Sequence, residues 1–340
     1  MKPLTPARTL GVLLILFVVV VAAATLGLAA GPSGLSVAEI LSALGGRGEG
    51  DAAADIVLRV RLPRVLLGAL VGASLAVAGV LFQALLRNPL ADPYVLGVSG
   101  GAALGAIAVL SLGSAIGLGY AAVPPAAFAG ALATTAVLYA ISGVQGRVSP
   151  TGLLLTGVVF NAFASAAIVF LASIAGLTEG TSIFLWLIGS LSAGRLEVAG
   201  WVAAFLALGL GAAMPLARGL NLSALGEESA QQLGVDIDRQ RRVVLVAASL
   251  MVGAAVSVAG LIGFVGLIIP HLLRLLVGPD HRLLIPAAAL GGAAFLILCD
   301  AVARTLLDGR ELPVGAITAL AGGPLFLWLL RRYHNRVFGS

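Results

Sequence analysis

Between Leu10 and Ala30 the chain carries no charged residue and is apolar on every face of a helix, and runs of this kind recur almost to its end. A helical run of roughly 20 residues matches the thickness of bilayer hydrocarbon. A membrane-spanning β-barrel would alternate apolar and polar residues with a period of two, and these runs do not. With 60% of residues hydrophobic and 10% charged, too little polar surface exists to coat a water-soluble domain. The sequence therefore predicts an all-α polytopic membrane protein, and 340 residues hold about ten spans.

The first span is read at Leu10–Ala30, behind Lys2 and Arg8. Its small-residue end, Ala29-Ala30-Gly31, resembles a signal-peptide cleavage site, but the run exceeds the usual h-region, so it reads as uncleaved. The others are placed at about Pro63–Leu86, Val95–Leu112, Ala121–Gly143, Gly152–Ala175, Ala199–Leu216, Val243–Leu261, Gly263–Leu276, Leu284–Ala303 and Val314–Leu330. Residues 31–62 read as a polar connection and 176–195 as a mixed one with Glu179 and Arg195. The whole of 1–340 is taken as one transmembrane domain, with a charged connection at about 218–242. With ten spans and an inside N-terminus, 13 Lys and Arg fall on one side and 7 on the other. The positive-inside tendency then puts both termini in the cytoplasm. The net charge of +5 suggests no nucleic-acid partner, because no Lys/Arg cluster interleaves with aromatics.

One stretch interrupts the apolar pattern, Arg87-Asn88-Pro89-Leu90-Ala91-Asp92-Pro93. Two prolines remove backbone donors, and Asn88 and Asp92 can satisfy neighbouring backbone groups, so a tight polar turn is expected. Behind it, Gly97, Gly101 and Gly105 are spaced to share one helical face that a second helix can approach closely. Val71 to Gly79 also aligns with Val252 to Gly260, and the same offset places Pro89 on Pro270. On spans two and seven these copies would form an inverted repeat, a transporter signature.

Catalytic readings are few. Gly97-Val98-Ser99-Gly100-Gly101 fits the G-x-S-x-G nucleophile pattern, so an intramembrane serine protease using Ser99 is the alternative of another class. It would need a histidine to take the serine proton, and only His271 lies in an apolar run. His271, His281 and His334 are dispersed and form no metal-ligand set, and Cys299 is the only cysteine. Asp300 is the one carboxylate inside an apolar run, and Arg304 lies four residues on, close enough to pair with it. No acidic cluster near the midplane remains to couple transport to protons or sodium. A P-loop needs a lysine at the phosphates, and Lys2 is the only lysine, so the chain cannot hydrolyse ATP by that route. Active transport would then require a separate cytoplasmic ATPase. The 218–242 connection suits such a partner: Asn221 or Ser223 could cap a short helix, Glu227 and Glu228 suit the next first turn, and Gly234 could end it.

Five segments together resemble the FecCD family: Arg61-Leu62-Pro63-Arg64, Asn88 to Pro93 with Leu96-Gly97, Gly226 to Gly234, Gly263 to Arg274, and Glu311-Leu312-Pro313-Val314-Gly315. These are the permeases of bacterial ABC importers for iron-siderophores, haem and cobalamin. The resemblance implies a BtuC-like fold in the inner membrane, a homodimer with the pathway on its two-fold axis, two ABC ATPases and a periplasmic binding protein. It implies no enzyme activity and no cofactor bound by this chain, with ATP and Mg used by the partner ATPase. It also implies a cytoplasmic gate and translocation path at Asn88, Pro89, Leu90, Gly97, Gly101, Ser149, Pro150 and Thr151. ATPase coupling falls to Gly226, Glu227, Glu228, Ala230, Leu233 and Gly234, and binding-protein docking to Arg61, Arg64 and Arg304. Pro150 stands where relatives can carry a hydroxyl. A pathway lined by Gly, Ala, Val and Leu suits a wide, planar chelate, read as haem or a ferric siderophore, with cobalamin as the alternative.

Overall fold

The computed structural model describes residues 5–31, 35–45, 52–144, 147–192, 194–307 and 310–337. Ten apolar helices run through it: α1 (Pro6–Ala29), α4 (Leu62–Leu85), α5 (Val98–Leu112), α6 (Val123–Ser142), α7 (Pro150–Ile174), α9 (Leu196–Ser223), α11 (Ile237–Ala259), α12 (Val265–Val277), α13 (His281–Thr305) and α14 (Val314–Val337). Seven are long and apolar enough to cross a bilayer; α5, α12 and the apolar part of α14 are shorter. All ten coincide with runs read from the sequence. Four short helices complete the set, α2 (Val37–Leu44), α3 (Ala52–Asp55), α8 (Leu177–Leu187) and α10 (Glu227–Gln232). A two-residue hairpin pairs β1 (Gly143–Val144) with β2 (Arg147–Val148).

The helices begin where the chain supplies an acceptor for free backbone N–H groups. Thr5, Ser149, Asp236 and Asp280 cap α1, α7, α11 and α13 with their side-chain oxygens, and Ser36 with Glu39 forms a capping box on α2. Pro150 occupies the first turn of α7, where a missing N–H leaves nothing unsatisfied.

At the centre stands α4, buried along most of its length and packed on α13, α11, α9 and α12. Its glycines set the spacing. A Cβ on Gly72 would lie 2.2 Å from the Gly292 carbonyl oxygen of α13, and one on Gly79 would lie 1.9 Å from that of Gly266 in α12. Backbones touch at these crossings, as in the small-residue seams of membrane helices. A second seam joins α5 to α6, where a Cβ on Gly101 would meet Thr134 and Gly130, and one on Gly105 would meet Ala126. On the outside, Leu14, Phe17, Leu155, Val159, Phe163 and Phe170 of α1 and α7 are exposed, the arrangement a lipid solvent allows.

Several expectations are corrected. Residues 52–61 are helical and run into α4 through a π turn at Ile56–Arg61, and 177–187 form α8, so these stretches of the connections are helical. Gly97 does not share the helical face of Gly101 and Gly105: it precedes α5 with φ +84, a conformation that suits a residue without Cβ. Asn221 and Ser223 do not cap a short helix, because α9 runs through Ser223 and Gly226 precedes α10. The two copies of the 71–79 motif lie on α4 and α11, but Pro89 sits in a turn and Pro270 inside α12, so the alignment ends locally before the prolines.

Candidate translocation and coupling site

The polar stretch after α4 folds as its residues dictate. Asn88 Oδ1 accepts the Leu90 N–H at 2.9 Å, and Asp92 Oδ1 accepts the Tyr94 N–H at 2.8 Å, two side-chain turns in succession. α4 closes with Arg87 N–H donating to Ala84 O and Asn88 N–H to Gln83 O, with Arg87 at φ +50. This is the helix-ending pattern usually completed by glycine, here carrying an arginine. Pro89 and Leu90 are exposed, whereas Ala91, Asp92 and Pro93 turn back into the protein. Pro93 reaches the α4–α12 crossing, within about 3 Å of where a Cβ on Gly266 would lie.

The turn then leans on α7. Asn161 Nδ2 donates to the Tyr94 carbonyl, and Gly157 sits so close to Leu96 that an added Cβ would lie 2.8 Å from its Cα. Asn161 went unread in the sequence. Its signal was there, the one amide in the apolar run that became α7. Ser149, Pro150 and Thr151 make the first turn of that same helix, with Ser149 Oγ accepting the Gly152 N–H at 3.3 Å. The structure thus brings the 88–97 turn against α7 and leaves Ser149 to Thr151 at the start of that helix.

The segment after α9, carrying α10, joins this end of the molecule. α10 is fixed on its inner side by Ala230, fully buried, while Leu225 and Leu233 point outward, 77% and 65% exposed. Gly226 at φ +132 opens the helix, and Gly234 at φ +85 follows its end. Glu228 is exposed, but Glu227 turns inward. Its Oε1 meets Arg87 Nη2 at 2.7 Å and also accepts from Arg241 of α11. Beside it, a void of about 20 Å³ lined by Arg87, Ser223, Gln240 and Arg241 has room for about one water. Nearby, Asn221 accepts the His281 N–H and donates to Asp280, tying α9 to the start of α13.

At the other end of α4, about 36 Å away at 1.5 Å per residue, lie the three arginines expected to dock a binding protein. The structure corrects that picture. Arg61, Arg64 and Arg304 are buried, between 4% and 9% exposed, and point inward. Arg64 and Arg304 clasp Asp300 from two sides, with Nε to carboxylate contacts of 3.1 and 3.0 Å, and Arg64 also pairs with Glu311 at 2.9 Å. Arg304 donates to the Ala30 and Gly27 carbonyls and Arg61 to those of Leu28 and Ala29, so both satisfy the free end of α1. The Arg304–Asp300 pairing is as expected from spacing, and farther out Asp55 pairs with Arg59. These buried contacts tie α4 and α13 to each other and to the end of α1.

Glu311, the partner of Arg64, also borders a cavity of about 700 Å³ walled by Pro124, Ser182, Trp186, Trp201, Ser257 and Leu312. Its size is that of a small-molecule pocket. Ser99 is elsewhere, fully buried in α5, and among the described residues neither its Oγ nor His271 Nδ1 has a hydrogen-bond partner. A serine nucleophile requires a base in contact with it, so the protease alternative fails on geometry. Among the described residues no group of three or more His, Cys, Asp or Glu is placed to hold a metal ion.

Ten packed apolar helices around glycine seams, with short helices beside them, define a multi-pass membrane protein. The chain belongs to the FecCD transport family, whose sequence profile matches residues 14–332. It is 47% identical over 281 residues to the cobalamin import system permease protein BtuC of Halobacterium salinarum, covering 83% of this chain and 74% of that one. It is 40% identical over 341 residues to the hemin transport system permease protein HmuU of Yersinia pestis, covering 98% of each. A solved structure described as an inward-facing conformation of an ABC transporter assigned to the metal-chelate type superposes with a TM-score of 0.83 at 32% identity, covering 95% of this chain and 99% of that one.

Proposed function

We propose that this chain is the membrane-spanning subunit of an ATP-driven importer that carries a macrocyclic metal chelate, a corrinoid or haem, into the cytoplasm. The observation that supports this reading is the similarity, over most of the chain, to permeases named for cobalamin and for hemin. The sequence placed haem ahead of cobalamin; the higher identity to the cobalamin permease favours a corrinoid, and the longer coverage of the hemin permease keeps haem in view. In this reading the end bearing α10 is cytoplasmic, both termini are inside, and Leu225 and Leu233 meet one of two ABC ATPases. A second copy of the chain completes the pathway across the exposed apolar face of α7, and a periplasmic binding protein delivers substrate at the end bearing the 700 Å³ cavity. The turn at Asn88–Leu90 and the first turn of α7 at Ser149–Thr151 form the cytoplasmic gate, with Gly97 and Gly101 allowing close approach along the path.

The test is substrate-stimulated ATP hydrolysis. The complex is purified through a tag on this chain, reconstituted in lipid with its binding protein, and challenged with cobalamin, hemin and a ferric siderophore. Stimulation by a macrocycle above the siderophore supports the reading, and stimulation by the siderophore alone overturns it.

A further inference from the structure

Resting on the importer reading, the geometry points to a joint between the coupling helix and the gate: we propose that Arg87 and Glu227 transmit displacement of α10 to the turn at 86–97. Two independent features meet at this contact. The first is the carboxylate of Glu227, which opens α10 and is gripped by Arg87 from the end of α4 and Arg241 from α11. The second is the backbone of Arg87 itself. At φ +50 it occupies the left-handed conformation that glycine adopts freely and a residue with a Cβ does not, so the position carries strain that a glycine would relieve. An observed outlier of this sort is a reason to look for what its side chain does. What it does is reach the coupling helix at 2.7 Å.

From Arg87 the connection runs without a gap. The next residue, Asn88, fixes the Leu90 N–H; six further on, the Tyr94 carbonyl is held by Asn161, and Leu96 lies against Gly157. A push on α10 therefore has a charged contact to the start of the turn and a close-packed contact from its end to α7. The 20 Å³ void beside Arg87 and Arg241 leaves room for the contact to shift. Coupling of this kind requires the turn to take a second seat when α10 is displaced, and the contact at Arg87 is where that displacement would enter it. Arg87 and Glu227 are positioning residues here, acting through the turn and not on substrate.

The experiment measures chelate moved per ATP hydrolysed, using labelled cobalamin and hemin as probes and the complex purified through this chain and reconstituted in vesicles. Arg87→Gln should lower that ratio about tenfold while the ATPase stays bound and active, and Glu227→Gln should lower the chelate moved per ATP hydrolysed by the same factor. The double variant should also be down about tenfold, because both changes break one joint. Arg87→Lys should restore part of the ratio. Arg87→Gly separates positioning from structure: it should melt no lower than the wild type, since strain is relieved, yet remain uncoupled. Singles with an unchanged ratio, a double variant down about a hundredfold, or an Arg87→Gly protein that couples normally would each overturn the joint. A wild-type complex that hydrolyses ATP but moves neither probe would overturn the importer reading and the joint with it.

Discussion

Replacing Gly79 by alanine tests whether the α4–α12 crossing sets the architecture. The new Cβ would start 1.9 Å from the Gly266 carbonyl oxygen, and reaching even 3.0 Å requires the two backbones to separate by about 1.1 Å. No rotamer change can relieve a clash between backbone and Cβ. A radial gap of about 0.5–1 Å already forfeits a quarter to a half of each dispersion contact, and this crossing also seats Pro93 and the Gln83 amide, which donates to Leu267 O. Overpacking a core typically costs about 1–3 kcal/mol, and rigid backbone on both sides puts Gly79→Ala at the upper end, about 3 kcal/mol. That is roughly a hundredfold in the folded-to-unfolded ratio. The assay is thermal unfolding of the purified protein in detergent, with Gly211→Ala as the control. Gly211 lies inside α9 with nothing near a new Cβ, so alanine there should be neutral or stabilise by about 0.5–1 kcal/mol. If Gly79→Ala melts at or above the wild type, the reasoning about glycine seams is wrong.

Asp300→Ala should destabilise by about 3–5 kcal/mol, because it leaves Arg64 and Arg304 buried against each other. Arg59→Ala, which breaks only an exposed pair, should fall within about 1 kcal/mol of wild type in the same melt. Asp280→Ala should lose about 1–2 kcal/mol with the α13 cap. The Asp280 carboxylate is held below its ordinary range, first by its hydrogen bond from the Arg282 side chain. Because its pKa is lower folded than unfolded, its contribution is complete above about pH 4 and lost as the pH falls below that, so wild type and variant melts should converge in acid. Leu233→Ser should leave melting unchanged but weaken ATPase copurification by about 1–2 kcal/mol, since Leu233 is exposed; equal recovery would count against α10 as the docking surface. Fluorophosphonate should not label Ser99, and labelling lost in Ser99→Ala would revive the protease reading.

The spans were legible because apolar runs about 20 residues long leave a chain no other choice. The turn at Asn88 and Asp92 was legible too, since each side chain reaches only a backbone group two residues on. Less readable was anything that depends on which helix lies beside which. Arg64 is 236 residues from Asp300 and 247 from Glu311, so positive-inside counting saw outward arginines where folding buries an ion cluster. Glu227 looked like a surface residue of a docking helix, because nothing local announces that Arg87 lies beneath it. The glycine spacing of Gly101 and Gly105 did forecast a close seam, but Gly97 was needed for its φ and not for the seam. α8 was missed because Glu179 and its neighbouring polar residues dilute an 11-residue helix below the pattern of a span.

The central claim, that this chain conducts a metal chelate when a partner burns ATP, is tested most directly by accumulation. Vesicles holding the purified complex with ATP on the ATPase side, and the binding protein loaded with labelled cobalamin or hemin on the other, should concentrate the label above its external level. Vesicles lacking ATP, or holding this chain alone, should not. A label that equilibrates without ATP, or that the chain alone concentrates, would contradict the account.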